Sequence, residues 1–447
     1  MQMCAPWEKA FKKVYTPFEH FIHSQTTTGL VLMIMTLFAL IIANSPFHDA
    51  YEHLIHTKLS ITIGSLGIAH SLHHWINDGL MAVFFFLIGL EIKREILKGE
   101  LSNIKVAILP ILSAIGGMLI PALIYIAINH NQAGANGWGI PMATDIAFAI
   151  SALVLLGRRV SPALVTFLVA LAIVDDLGAV IVIALFYTAE INLEFLGLAG
   201  AIFLFMLALN RLGVRAMLPY FLLGIVMWFF MLESGVHATI AGVIAALTIP
   251  STPKIPPVDF TTETKKMLDL YENYPVATDH TMHEKQKAIL QNIKERIAAV
   301  ISPADQLEQS LHLPVSLIII PLFAFANAGI AIDFTSIDNI IFEPVSLGII
   351  FGLVGGKIIG IAGTAFIAIK SGIAKLPQNS SMSQLFGVAA LGGIGFTMSI
   401  FVADLAFIDN PELIFQAKIG ILTASLCAGV LGFIWLRFIA KPADHEA

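Results

Sequence analysis

The chain has 447 residues, 57% hydrophobic and only 13% charged, with a mean hydropathy of +0.84 and a formal net charge of −6. A soluble domain carries roughly a quarter charged residues, so about half the usual charge is missing and the chain needs lipid as its solvent. The modest acidity and the lack of any basic block exclude a nucleic-acid reader, and the two cysteines, Cys4 and Cys427, fit no ligand spacing.

Residues 1–25 mix Glu8, Lys9, Lys12, Lys13, Glu19 and His20 with Phe11, Val14, Phe18 and Phe21. They show neither the unbroken apolar stretch nor the small-residue cleavage site of a signal peptide. The segment reads as an amphipathic cytoplasmic helix on the membrane surface. A span needs about 20 mostly apolar residues. Such stretches fall at roughly 26–44, 76–97, 106–129, 140–157, 162–187, 194–210, 216–232, 234–250, 314–331, 344–369, 384–405 and 413–437. That predicts an all-α integral membrane protein with about twelve transmembrane helices, some starting earlier in amphipathic stretches such as 300–313. Two connections are more than turns. Residues 45–70 contain the strict alternation Leu59-Ser60-Ile61-Thr62-Ile63-Gly64, which predicts a short strand outside the membrane. Residues 251–300 are polar, follow Pro250 with Pro253, Pro256 and Pro257, and include a charged helical stretch, Met282–Ala299. They form a cytoplasmic insertion between a first membrane region, 26–250, and a second, 301–440.

Orientation follows from the basic residues. Twenty-two of the 25 Lys and Arg fall in one set of loops, and Lys58 and Lys418 fall on the other face. Both termini are therefore expected in the cytoplasm. The last basic residue, Lys357, sits inside a span.

Ionisable groups within spans are costly and imply function. Asp175 and Asp176 are adjacent in the middle of one span, and a buried carboxylate pair can hold protons at lower pH and a cation once deprotonated. Two further charges, Asp145 and Lys357, lie in other spans. Asp145 sits in an apolar segment interrupted by Gly137, Gly139 and Pro141, and a second interruption comes at Gly392, Gly393 and Gly395. Breaks at matching places in two halves of a chain point to a transporter's binding site. Half-helix ends would face each other there, with Asp145 suited to the positive N-terminal ends and Lys357 to the negative C-terminal ends.

These residues resemble the NhaA-type sodium/proton antiporters. The likeness is carried by Gly89-Leu90-Glu91-Ile92-Lys93-Arg94-Glu95, Ala143-Thr144-Asp145-Ile146-Ala147-Phe148-Ala149, Ala172-Ile173-Val174-Asp175-Asp176-Leu177-Gly178, Ser234-Gly235-Val236-His237-Ala238-Thr239, Pro321-Leu322-Phe323-Ala324-Phe325-Ala326-Asn327-Ala328-Gly329 and Gly393-Ile394-Gly395-Phe396-Thr397-Met398-Ser399-Ile400-Phe401. It runs in order from about residue 20 to 440, leaving out 251–300. Inverted repeats with two discontinuous helices crossing at mid-membrane are a feature this family itself exemplifies.

The resemblance implies an electrogenic Na⁺(Li⁺)/H⁺ antiporter of the bacterial inner membrane. It would work by alternating access, be activated at alkaline pH, and be neither an enzyme nor in need of a cofactor. Asp175 and Asp176 would bind the cation and protons, with Asp176 the primary Na⁺ or Li⁺ ligand. Asp145, Lys357 and Thr144 would compensate the helix crossing, and Asp78 would line the access route. Glu91, Arg94, Glu95, Glu308 and His312 match a cytoplasmic cluster tied to pH activation, and His237 matches another pH-linked position. Gln309 departs from the pattern, which can carry a histidine there. A homodimer through an extramembrane β-hairpin at about 45–70 is also implied.

Other classes fit less well. Adjacent aspartates on a helix point about 100° apart and cannot face each other as a protease dyad. An Asp145–Asp175 protease pairing would also leave Asp176 and Lys357 unexplained, a channel ranks as low, and a sodium-coupled solute symporter needs a roomier polar site. His70, His73 and His74 read as solvated surface side chains.

Overall fold

A computed structural model describes residues 25–63, 66–188, 191–274, 284–331 and 340–441. The amphipathic segment expected at 1–25 lies outside them, apart from Gln25. Almost every described residue in a regular element is helical.

Several helices begin as their sequences dictate. Pro162, Pro303 and Pro411 open their helices behind Ser161, Ser302 and Asn410, whose side chains accept from backbone N–H groups of the first turn. Proline costs nothing there, because its missing N–H would have no intrahelical partner. Among the described residues, six helices are long and apolar enough to cross a membrane: Ile104–Ile128, Pro162–Phe186, Leu193–Arg211, Pro303–Ala328, Pro344–Lys370 and Pro411–Ile439. The number rises to nine if each of three bent pairs is one span. Three further helical stretches separate that figure from the expected twelve. The helix that runs from Leu72 to Leu97 carries Asp78, Glu91, Lys93, Arg94 and Glu95, and Met217–Glu233 and Thr239–Thr248 are short. The amphipathic stretch before 314 is helical and runs straight into its span.

The first helix is followed by His48–His56, at 115° to it. A two-stranded antiparallel sheet comes next, Lys58–Ile63 against Leu66–Ser71, with Lys58 opposite Ser71. Within the polar insertion, Pro257–Glu272 and Glu284–Val300 pair through an Arg296–Glu263 ion pair. The insertion leaves and returns at one place. Lys254 and Ile255 N–H both donate to the Ala299 carbonyl, at 2.9 and 3.1 Å, and Ala304 N–H donates to the Pro250 carbonyl at 3.1 Å.

Two close helix contacts frame the interior. A Cβ on Gly116 would meet the Gly360 carbonyl oxygen at 2.4 Å, and one on Gly360 would meet the Gly116 oxygen at 2.3 Å. Ile104–Ile128 therefore touches the Pro344–Lys370 helix backbone to backbone, as small residues permit. That second helix widens into π turns at Phe351–Gly356 and Ile358–Gly363, on either side of Lys357. Such widenings are frequent at functional sites. Gly242 makes the other contact, since a Cβ there would stand 2.2 Å from the Ala82 carbonyl oxygen.

Candidate ion-exchange site

Two helices break and meet at their breaks. Ala133–Met142 gives way to the non-helical Ala143, Thr144 and Asp145, the first and last of them extended, before Ile146–Leu155 resumes at 43°. Met382–Leu391 stops at the Gly392–Gly395 run, and Phe396–Ala406 resumes at 48°. The two breaks touch directly: Asp145 N–H donates to the Ile394 carbonyl at 2.6 Å.

A single carboxylate serves both resumed helices. Asp145 Oδ1 accepts from Phe148 N–H at 3.1 Å. Its Oδ2 accepts from Thr397 N–H at 3.1 Å and from Thr397 Oγ1 at 2.5 Å. Helix N-termini offer unpaired N–H groups and positive dipole charge, and a buried anion answers both. On the opposite ends, Thr144 Oγ1 donates to the Gly392 carbonyl and Ser399 Oγ to the Ile140 carbonyl, each at 2.9 Å.

Asp175 and Asp176 lie within Pro162–Phe186, both 1% exposed. Lys357, 0% exposed, places its ammonium 2.7 Å from Asp175 Oδ2. The described bond of Lys357 thus goes to a carboxylate, whereas the charge argument from sequence aimed it at helix-end carbonyls. Neighbouring helical positions point about 100° apart, so Asp176 faces elsewhere. Its Oδ1 is buried and has no hydrogen-bond partner among the described residues. Asp176 lines a cavity of about 130 Å³ together with Thr144, Asp145, Thr397, Glu91 and His312.

The group predicted from sequence to be cytoplasmic reaches from ion pairs at its outer end to the cavity, with Glu91 close enough to Arg94, Glu95 and Glu308 to feel their charges. Arg94 pairs with Glu308 and, at 2.9 Å, with Glu95, and Lys98 pairs with Asp305 at 3.0 Å. Glu91 and His312 instead line the cavity beside Asp176. Gln309 is exposed. His237 stands apart from them all. Its Nε2 is 3.4 Å from Asp78 Oδ1, its Nδ1 is 2.6 Å from Thr239 Oγ1, and its ring meets Phe401 edge-on. Asp78 and His237, expected from sequence to serve an access route and a pH response, therefore form one group.

Three features were not anticipated. His74 Nε2 lies 2.9 Å from Asp78 Oδ2, and the His74 ring stacks on His70 at 4.0 Å. His73 Nε2 lies 2.9 Å from Asn327 Oδ1, and Asn327 donates to Asn77 Oδ1 at 2.8 Å. The surface reading of these histidines is thereby corrected: all three are only partly exposed, and His73 and His74 are engaged in a polar network. The i, i+4 spacing of His74 and Asp78 on one helix could have signalled their pairing. Finally, Lys418 and Asp404 pair at 3.3 Å with side chains only 14% and 11% exposed. Among the described residues, no group of three or more His, Cys, Asp or Glu side chains could hold a metal ion.

Two broken helices that touch at their breaks, near a buried carboxylate pair with a cavity reaching one of them, are the features of a secondary transporter of the broken-helix class. A profile of the family described as Na+/H+ antiporter 1 matches residues 19–436, and the chain belongs to that family. It is 66% identical to the Na(+)/H(+) antiporter NhaA of Sulfurimonas denitrificans, over 99% of this chain and 100% of that protein. It is 49% identical to Na(+)/H(+) antiporter NhaA 1 of Saccharophagus degradans, over 96% of this chain and 93% of that one. Against the Na(+)/H(+) antiporter NhaA of Dichelobacter nodosus the identity is 45%, over 99% and 95%.

Proposed function

We infer that the protein is a membrane antiporter that exchanges Na⁺ for protons, and that Asp175 and Asp176 are where the exchange happens. The observation that carries the site is Asp176, which lines the cavity and whose Oδ1 is buried without a partner among the described residues, next to an Asp175 already held by Lys357. A buried carboxylate oxygen without a partner is costly, and either a proton or a cation relieves that cost. The two compete for the same lone pairs, which makes binding of one the release of the other. Asp176 is the primary ligand for Na⁺ or Li⁺. Asp175 contributes second, exchanging its bond with the Lys357 ammonium for the cation, and its proton load makes the cycle move more protons than cations. Transport is then electrogenic and strongest at alkaline pH.

The surrounding residues support that chemistry. Asp145 and Thr144 hold the crossing together, and Lys357 compensates Asp175 once its proton has left and before a cation binds. Glu91, Arg94, Glu95, Glu308 and His312 form the cytoplasmic pH-responsive group. Asp78, with His237, lines the route on the opposite side. The architecture we propose has twelve spans in two inverted repeats, both termini in the cytoplasm of a bacterial inner membrane, and a homodimer joined through the hairpin at 58–71. It is a transporter rather than an enzyme, and this chemistry calls for no cofactor. A sodium-coupled solute symporter is disfavoured by size, because pockets for organic ligands run to about 300–1,000 Å³ and this cavity has about 130 Å³.

Everted membrane vesicles with an imposed pH gradient test the reading. NaCl and LiCl should dissipate the gradient, increasingly so as pH rises, and KCl should not. A gradient that is unmoved by NaCl, or equally sensitive to KCl, rejects it.

A further inference from the structure

The two breaks are tied by a reciprocal pair of hydroxyl bonds. Thr144, in the first break, donates to the Gly392 carbonyl in the second, and Ser399, just past the second, donates to the Ile140 carbonyl before the first. Thr144 and Ser399 are both 0% exposed. A helix that stops inside a membrane leaves its last carbonyls without intrahelical donors and without water. Ile140 lies in the last turn of Ala133–Met142, and Gly392 immediately follows Met382–Leu391. Each stopped helix therefore has a carbonyl at its negative end satisfied by a neutral hydroxyl from the other chain segment. Asp145 serves the positive ends, so Lys357 is left to Asp175. The sequence makes room for this arrangement: a Cβ on Gly395 would stand 2.2 Å from Ser399 Oγ.

We propose that Ser399 is a positioning residue for ion exchange. Its hydroxyl, paired with that of Thr144, locks the crossing in the arrangement that presents Asp175 and Asp176 to the cation. The inference rests on the exchange reading above and adds a residue to it. Ser399→Ala leaves the buried Ile140 carbonyl without its donor and removes no charge. The cation-competent arrangement becomes less populated, and apparent affinity falls by the same fraction.

The test is Na⁺-dependent proton release in proteoliposomes, with KM and maximal rate measured separately. Ser399→Ala should raise the KM for Na⁺ about tenfold, with the maximal rate per folded protein near that of the wild type. Ser399→Thr, which keeps the donor, should restore KM. A residue needed only for folding would lower the maximal rate and leave KM alone. A wild-type KM in Ser399→Ala, or equal impairment of the Ala and Thr variants, overturns the proposal. Should Ser399→Ala fail to accumulate, Gly395→Ala displaces the same hydroxyl and must raise KM, and a wild-type KM there also overturns it. Absence of exchange in the wild-type protein would instead defeat the exchange reading, and this inference with it.

Discussion

Lys357 and Asp175 meet through a 2.7 Å ammonium–carboxylate contact although 182 residues separate them, and their side chains are 0% and 1% exposed. Removing one partner of a buried pair strands the other, at a cost of about 3–5 kcal/mol. Lys357→Gln should therefore lower the thermal stability of the purified protein markedly, while Lys357→Arg retains most of it. Melting followed by tryptophan fluorescence in detergent checks this. A Gln variant that melts with the wild type would show that the contact contributes nothing to stability.

If protons and Na⁺ compete for Asp175 and Asp176, apparent sodium affinity must weaken as pH falls. Each proton that must leave before Na⁺ binds makes KM change by about tenfold per pH unit, so the loss of two approaches about a hundredfold where both groups are protonated. Initial rates of Na⁺-driven proton release across a pH series measure it. A KM independent of pH would mean that the two ions use different groups.

Release of two protons for each Na⁺ moves one net charge per cycle. Membrane potential then contributes about 2.3 kcal/mol per charge per 100 mV, enough to drive sodium out without a pH gradient. Sodium jumps on a solid-supported membrane should give a transient current in the wild-type protein. Lys357→Arg should keep that current with an altered pH profile, since Arg holds the charge on Asp175 but does not titrate. Measurable exchange with no current refutes electrogenicity.

At the other end of the Leu72–Leu97 helix, the Asp78 carboxylate holds the His74 imidazole above its ordinary value of 6.5. The sign follows from linkage. A raised value in the folded state means that the contact stabilises fully below 6.5 and loses its contribution as pH rises through the raised value. The melting difference between wild type and His74→Gln should be largest at acid pH and close at alkaline pH. A difference that widens with rising pH contradicts the assignment.

Much of this was legible in the sequence. Proline behind a Ser or Asn cap marks three of the long helices, the alternation at 59–64 matches the strand Lys58–Ile63, and the Gly392–Gly395 run marks where one helix breaks. The other breaks at 143–145, just past Gly137, Gly139 and Pro141, which lie inside Ala133–Met142. Composition showed which charges lie among apolar residues. Partners were harder to read, because a bond between distant residues depends on how each helix is rotated in the bundle. Asp175 rather than Asp176 faces Lys357 for that reason, and the π turns flanking Lys357 shift its direction in a way no periodicity shows. Ser399 was hidden because its hydroxyl matters only where another helix ends beside it. Asp404 and Lys418 were overlooked because each lies near a span end, where a charge ordinarily reaches water.

The central claim is that Asp176 carries the cation, and Asp176→Asn tests it most directly. Asn keeps the shape of the side chain and removes the carboxylate that both ions need. Wild-type and variant protein should be reconstituted at matched amounts, with melting curves to show that both are folded, and challenged with a Na⁺ jump against an internal pH dye. The account predicts prompt proton movement in the wild type and none in Asp176→Asn at any pH. Proton movement at the wild-type rate in the folded variant would contradict it.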